Sequence, residues 1–345
     1  MTITGVLDEA LERLHATGPE FEGWLSNHGP MAVEALVRHG QDDGVHRWLD
    51  RYADRLEERP AAGDPIRDDA WAEALGDARR LGDWLAYFDR QLVTAPERPW
   101  REVLGTWWPR LLPGIAGGAT HPVIRVGHAV VSLRAGENVP RLRELAHGLG
   151  YWAARHLPLP ADLTLVFGPP VAAEALRAVA PVADQSQGIR HRLDQLTTLP
   201  EWPAGQAAVA ADTVPGHLAD LVDATVRYYA THAHGSPVML VHAATAPNAV
   251  LRTLPDLPRE LWPSALAAAW AASGAVVAAY RPAGPASPAH PGGASAEELF
   301  TRAVEHGDEH AIKLADTALD VAARHPDDET AAGAVLRATE LITPL

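Results

Sequence analysis

Apolar residues recur along most of this chain at three- and four-residue spacings, the period of helices that bury one face. Leu7, Leu11 and Leu14 make the first stripe, which Thr17-Gly18-Pro19 ends. Asn27 and Pro30 then read as an N-cap and a first turn, predicting a helix from Met31 to about His39 that Gly40 stops. A helix over about 42–58 turns Val45, Trp48, Leu49, Tyr52 and Leu56 inward, and the pattern from Trp71 to Phe88 is interrupted only by glycines. Trp107 and Trp108 read as core aromatics of the segment 100–112.

A glycine-rich turn, Gly117-Gly118-Ala119, next delivers Thr120 as the N-cap of a helix that runs to about Leu133. Another helix is predicted over 141–156, with His147 and His156 as peripheral or packing residues. The run 163–167 is the one convincing strand, 171–200 reads as helix with breaks, and 198–216 as irregular. Ser236-Pro237 restarts a helix after His232-Ala233-His234-Gly235, and that helix carries His242 among small apolar residues. The uncharged run Ser264 to Tyr280 is slightly short for a membrane span and stops at Arg281-Pro282, so it reads as a buried helix. After a Pro/Gly/Ala/Ser loop over 282–295, the last helix pair covers about 296–324 and 328–341. The pattern predicts an all-α, compact multi-helix single domain over 1–345, with 156–216 as its most separable region.

Composition then narrows the chemistry. A formal charge of −15 argues against nucleic acid or an anionic membrane as partner, since both need a basic face. There is no cysteine, which excludes disulfides, thiolate metal sites and cysteine nucleophiles; 17 histidines remain as ligands, with carboxylates. The N-terminal stretch Met-Thr-Ile-Thr-Gly-Val-Leu-Asp-Glu is acidic and amphipathic, without a basic region or an apolar core, so a cytoplasmic, soluble protein is expected.

Of the 29 basic residues one is lysine, Lys313. Arginine cannot give up its proton inside a protein, whereas a buried lysine can become neutral and act as nucleophile or base. Compositional bias alone would also leave one solvated lysine on a helix surface. His306, His310 and Lys313 fall at i, i+4 and i+7, which on one helix places them on a common face. His121, Arg125 and His128 repeat the same spacing. His28 stands at a helix mouth, where a histidine is often a cap or a satisfied core group. His242 in mid-helix needs partners for its ring nitrogens. The glycines at 117–118 lack both phosphate-loop frames, and no dinucleotide fingerprint supports a flavin.

Asn27-His28-Gly29-Pro30, Gly117-Gly118-Ala119-Thr120-His121, Val241-His242-Ala243 and Asp308-Glu309-His310-Ala311-Ile312-Lys313, in this order, resemble the questin oxidase family. These are largely helical proteins associated with oxidation and cleavage of aromatic polyketides. The resemblance implies a non-haem iron oxygenase. Its Fe(II) would be held by His28, His121, His242 and His310, with Lys313 as a CO2-derived carbamate, leaving one position for O2. Asp308, Glu309 and Arg125 would orient the imidazoles from behind, and Arg125 and His128 would line the catalytic pocket. An external reductant such as NADPH is a further implied co-reactant. Arg125 and His128 stand where a second His and a Tyr are expected of the fungal branch, and Met31 where another His is common; these changes bear on the substrate more than on the metal. Partners expected are a small aromatic polyketide of secondary metabolism, with no nucleic acid and no membrane. The alternatives are a metal-dependent hydrolase using a carbamylated lysine, a pyridoxal phosphate Schiff base on Lys313, and a catalytically inactive helical binding protein. The hydrolase would need a many-stranded barrel, and the Schiff base a phosphate cup, neither of which the sequence predicts.

Overall fold

The helical stripes fold as their period predicts, and the structure, a computed structural model, describes residues 3–345, with side chains from residue 5. Met1 and Thr2 of the acidic N-terminal stretch lie outside the described residues. The chain divides into two compact units. The first comprises the residues up to Pro158 with Arg252–Pro258, and the second Leu159–Leu251 with Arg259–Leu345. The break after Pro158 falls within the 156–216 region.

The first unit contains helices α1 (Ile3–His15), α2 (Gly29–Arg38), α3 (Val45–Ala53), α4 (Trp71–Ala74), α5 (Leu81–Asp89), α6 (Trp100–Leu111), α7 (His121–Ala135) and α8 (Val139–Ala154). A two-stranded antiparallel pair, β1 (Glu20–Phe21) with β2 (Leu25–Ser26), lies between α1 and α2 in sequence. Helix α8 is its axis, packing against α1, α5 and α7. The close approach has a reason in sequence: a Cβ on Gly148 would sit 3.1 Å from Val126, and one on Gly150 would sit 3.1 Å from Leu85. Trp84, Tyr87, Phe88 and Trp107 pack mostly edge to face between α5 and α6, while Trp152 of α8 meets Trp108 and donates its indole N–H to the Gly114 carbonyl. The helix predicted over 42–58 ends earlier, at Ala53, and the long pattern 71–88 is two helices joined by a 3₁₀ turn.

The second unit carries β3 (Thr164–Phe167), α9 (Ala172–Ala178), α10 (Ile189–Leu193), β4 (Thr198–Glu201), α11 (Val214–His232), α12 (Pro237–Thr253, whose last two residues count with the first unit), α13 (Trp262–Tyr280), α14 (Ala296–His306), α15 (Glu309–Arg324) and α16 (Thr330–Leu341). The predicted strand is β3; its parallel partner β4 lies where the sequence reads as irregular. Helices α11, α14 and α16 surround α15, and α12 is tied to α15 by the Asn248 amide donating to Asp320. Ser273 of α13 donates to the Ala243 carbonyl of α12. The stretch 259–280 is the one among the described residues long and apolar enough to cross a membrane. Most of its apolar window is buried in the protein, as expected of a core helix.

One expectation fails at the C-terminal helices. The segment 296–324 is not a single helix: Gly307 adopts a left-handed φ of 85° and ends α14, and Asp308 opens α15 as its N-cap. His306 therefore does not share a helix face with His310 and Lys313. Its Nε2 donates instead to the Ile342 carbonyl at 3.0 Å.

Candidate metal centre

In the first unit the ligand candidates begin at two helix mouths. His28 is the residue before α2, and its backbone N–H donates to the Tyr52 hydroxyl at 2.6 Å. Asn27, predicted as the cap of this helix, serves next door: its Oδ1 accepts the Gly29 N–H, while its amide donates to the Gly18 carbonyl. His121 opens α7 after a turn in which Gly118, Ala119 and Thr120 have φ of 53°, 55° and 68°. Alanine and threonine rarely adopt this left-handed region, which costs roughly 1–2 kcal/mol per residue. Thr120 occupies the predicted cap position but makes no side-chain cap bond.

The strained turn brings the Gly118 carbonyl under the His121 ring, where it lies 2.5 Å from Nδ1. A carbonyl only accepts, so Nδ1 carries the proton and Nε2 keeps its lone pair. That Nε2 lies 2.7 Å from Nε2 of His28, with the rings at 90°. Both side chains are buried. Two imidazole nitrogens aimed at one point are what a shared proton or a shared metal ion requires.

Arg125 and His128 share the buried face of α7 with His121 as predicted, and each is held by a carboxylate. Arg125 grips Glu144 of α8 through Nε at 2.5 Å and Nη2 at 2.8 Å, and His128 Nδ1 lies 2.6 Å from Glu34 of α2. Burial pushes the Glu144 carboxyl up, but the Arg125 charge and the bonds from His15 and Arg125 outweigh it and hold it below its ordinary value. The contact these two residues make is thus to Glu144 and Glu34, partners that no motif in the sequence marks.

In the second unit His242 is fully buried on α12, and its Nδ1–H donates to the Met239 carbonyl at 3.1 Å. The lone pair therefore lies on Nε2, the same tautomer as at His121 by a different backbone route. The His310 ring, in the first turn of α15, stands 5.4 Å from that of His242 at 80°. Asp308 caps α15 by accepting the N–H groups of His310 and Ala311, and its carboxylate lies 3.4 Å from His310 Nδ1. Glu309 is buried beside it and is no solvated helix charge. Lys313 stands one turn along α15, fully buried, and its Nζ has no hydrogen-bond partner. Burial pushes the ammonium down to about 7, against the opposing pull of Glu309 and Asp308. The solvated-lysine alternative is excluded.

These donors fit a dication. The Gly118 and Met239 carbonyls fix the tautomers of His121 and His242 with the lone pair on Nε2, the tautomer usual for metal-binding histidines. Lys313 offers a buried amine that gives up its proton far more readily than a solvated lysine does. A cleft of about 360 Å³ lined by Tyr87, Arg90, Arg98, Trp107 and Arg110 lies elsewhere, and none of the candidate ligands borders it.

The fold and these donors define a mainly α-helical protein with buried histidines able to bind a metal ion. The family model described as Questin oxidase-like matches residues 25–132, a stretch that holds the first two of the four motifs behind the resemblance. The match covers His28, His121, Arg125 and His128; His242, His310 and Lys313 fall beyond it. No curated protein matches the chain.

Proposed function

We propose that the chain is a non-haem Fe(II), O2-dependent oxidoreductase that oxidises or cleaves a ring of an anthraquinone-type polyketide in secondary metabolism. His28, His121, His242 and His310 would hold the iron, and Lys313, as its carbamate, would add an oxygen ligand. Iron bound there would supply dioxygen activation. The observation that carries the reading is Lys313: a fully buried amine with no partner, held to about 7. A neutral amine adds CO2 to form a carbamate and releases one proton, which turns an unpartnered buried donor into an anionic oxygen donor. The protein's own contribution is preorganisation. The Gly118 and Met239 carbonyls hold two imidazoles in the ligating tautomer, and the Asp308 cap fixes the start of the helix that presents His310 and Lys313.

The substrate class rests on the family match, and a cytoplasmic location and a small-molecule partner belong to the same proposal. Protein from iron-supplemented cells is expected to carry about one iron per chain at these residues, and His121→Ala or His242→Ala to lose most of it. Full retention in both variants defeats the ligand assignment. Turnover of a polycyclic aromatic polyketide should consume O2 and incorporate its oxygen, with or without a reductant such as NADPH. The same buried lysine also favours a carbamate-dependent hydrolase, and undiminished turnover under strict anaerobiosis would select it.

A further inference from the structure

We propose that His15, Glu144 and His147 form a second divalent-metal site, distinct from the residues proposed above to hold iron. His15 is the last residue of α1, and Glu144 and His147 stand at i and i+3 on α8, one turn apart on the same face. All three are buried, His147 to within 1% of full burial. Their ligand atoms lie within 4.8 Å of one another. Two imidazoles and one carboxylate are a donor set for a first-row dication, with positions left for solvent or a small ligand.

The polar bookkeeping of the cluster points to a ligand. Neither ring nitrogen of His147 has a hydrogen-bond partner, and His15 Nδ1 has none either. A neutral imidazole carries one donor and one acceptor, and leaving both unmet in the interior costs roughly 1–3 kcal/mol per group. A phenylalanine or leucine would fill the place of His147 at no such cost. The rings of His15 and His147 meet at 4.8 Å, edge to face. His15 Nε2 is 3.1 Å from Glu144 Oε2. Two neighbouring ligands at ~2.1 Å from one ion span about 3.0–3.4 Å, so this pair already stands at ligand spacing.

Arg125 bears on the affinity. It holds Glu144 through both oxygens; Oε1 keeps a second lone pair for a metal, and Oε2 regains one when His15 Nε2 gives up its proton to become a ligand. Its positive charge weakens cation binding relative to a site with a free carboxylate. The cluster is therefore expected to favour a strong nitrogen-seeking ion such as Zn²⁺ or Co²⁺ over Mg²⁺ or Ca²⁺.

Chelator-stripped full-length protein would be titrated with Co²⁺, following its visible absorption and the number of equivalents bound, and with Zn²⁺, following the melting temperature. In the parent chain one equivalent is assigned to this cluster. It should disappear in His147→Gln and in His15→Gln and persist in His121→Ala. A His121→Ala chain that also carries His147→Gln should bind none. If the proposed iron ligands fail but this site is real, the parent binds one equivalent that responds to His147→Gln and not to His121→Ala. Metal-free melts of His147→Gln report its folding separately, and Zn²⁺ should raise the melting temperature of the parent more than that of the variant. Equal stoichiometry and equal Zn²⁺-induced shifts in parent and His147→Gln overturn the proposal.

Discussion

His121 donates its Nδ1–H to the Gly118 carbonyl across 2.5 Å, and this bond joins a strained turn to the tautomer of a candidate ligand. Gly118, Ala119 and Thr120 all adopt positive φ to bring that carbonyl round. A glycine at position 119 would relieve the Cβ penalty while giving the turn other conformations to visit. Ala119→Gly is therefore expected to leave stability unchanged or raise it by up to about 1 kcal/mol, the strain relief being offset by backbone entropy. Metal affinity should fall. Thermal melts and iron content measured together test this, and a stabilised variant with undiminished affinity would show that the strain does nothing for the site.

Lys313→Arg is by composition the mildest change available in a chain that uses arginine everywhere else. It should be severe. A guanidinium keeps its proton, cannot take up CO2, and would bring a permanent cation into a fully buried position without a partner. Lys313→Ala should also lose activity, but the hole it leaves admits a short carboxylate that can replace the missing oxygen ligand. Acetate or propionate should thus restore part of the activity of the alanine variant and none of that of the arginine variant. The parent should weaken when iron is reconstituted without bicarbonate. Parental activity in Lys313→Arg would show that position 313 needs only its charge.

The Arg125–Glu144 pair should behave as a buried ion pair. Removing one partner strands the other charge in the core, so Arg125→Met or Glu144→Leu alone is expected to cost about 3–5 kcal/mol. The double replacement should cost much less than the sum, because no charge is left unpaired. Denaturant melts of the four proteins give the coupling. Additive costs would mean that the two residues act independently.

Acid should loosen the connector before α5. Asp83 accepts the N–H groups of Gly63 and Asp64 and the Arg80 guanidinium. Burial pushes its carboxyl up, but these bonds outweigh burial and hold it below the ordinary 3.8. The stabilisation is therefore whole above the unfolded value and fades as pH falls through the lower folded value. Asp83→Asn should cost about 1.5–3 kcal/mol at pH 7 and little once the pH has fallen below the lowered folded value, where the parent carboxyl is itself protonated. An equal cost at both pH values would remove the charge from the explanation.

Periodicity, turn residues and composition determined much of this protein by themselves. The 3.6-residue stripes are local, so the helical class, the buried alanine-rich helix and the strand at 164–167 were legible without a partner in view. Lys313 stood out because one deprotonatable amine in a sea of arginines is a property of composition. Spacing erred where a single residue broke the period: Gly307 turns left-handed, and His306 leaves the face it would share with His310 and Lys313. The pairing of His28 with His121 and of His242 with His310 joins residues far apart in sequence, and motifs had to stand in for distance. Tertiary structure alone decided the rest. Burial set the state of Lys313, because taking an ammonium out of water shifts its proton equilibrium only once neighbouring helices have closed over it. The carbonyls of Gly118 and Met239 and the carboxylates of Glu34 and Glu144 select tautomers and hold charges through contacts that no periodicity encodes. His147, read from sequence as a peripheral or packing residue, packs in the interior beside His15 and Glu144, because α1 and α8 meet there over more than 120 residues of intervening chain.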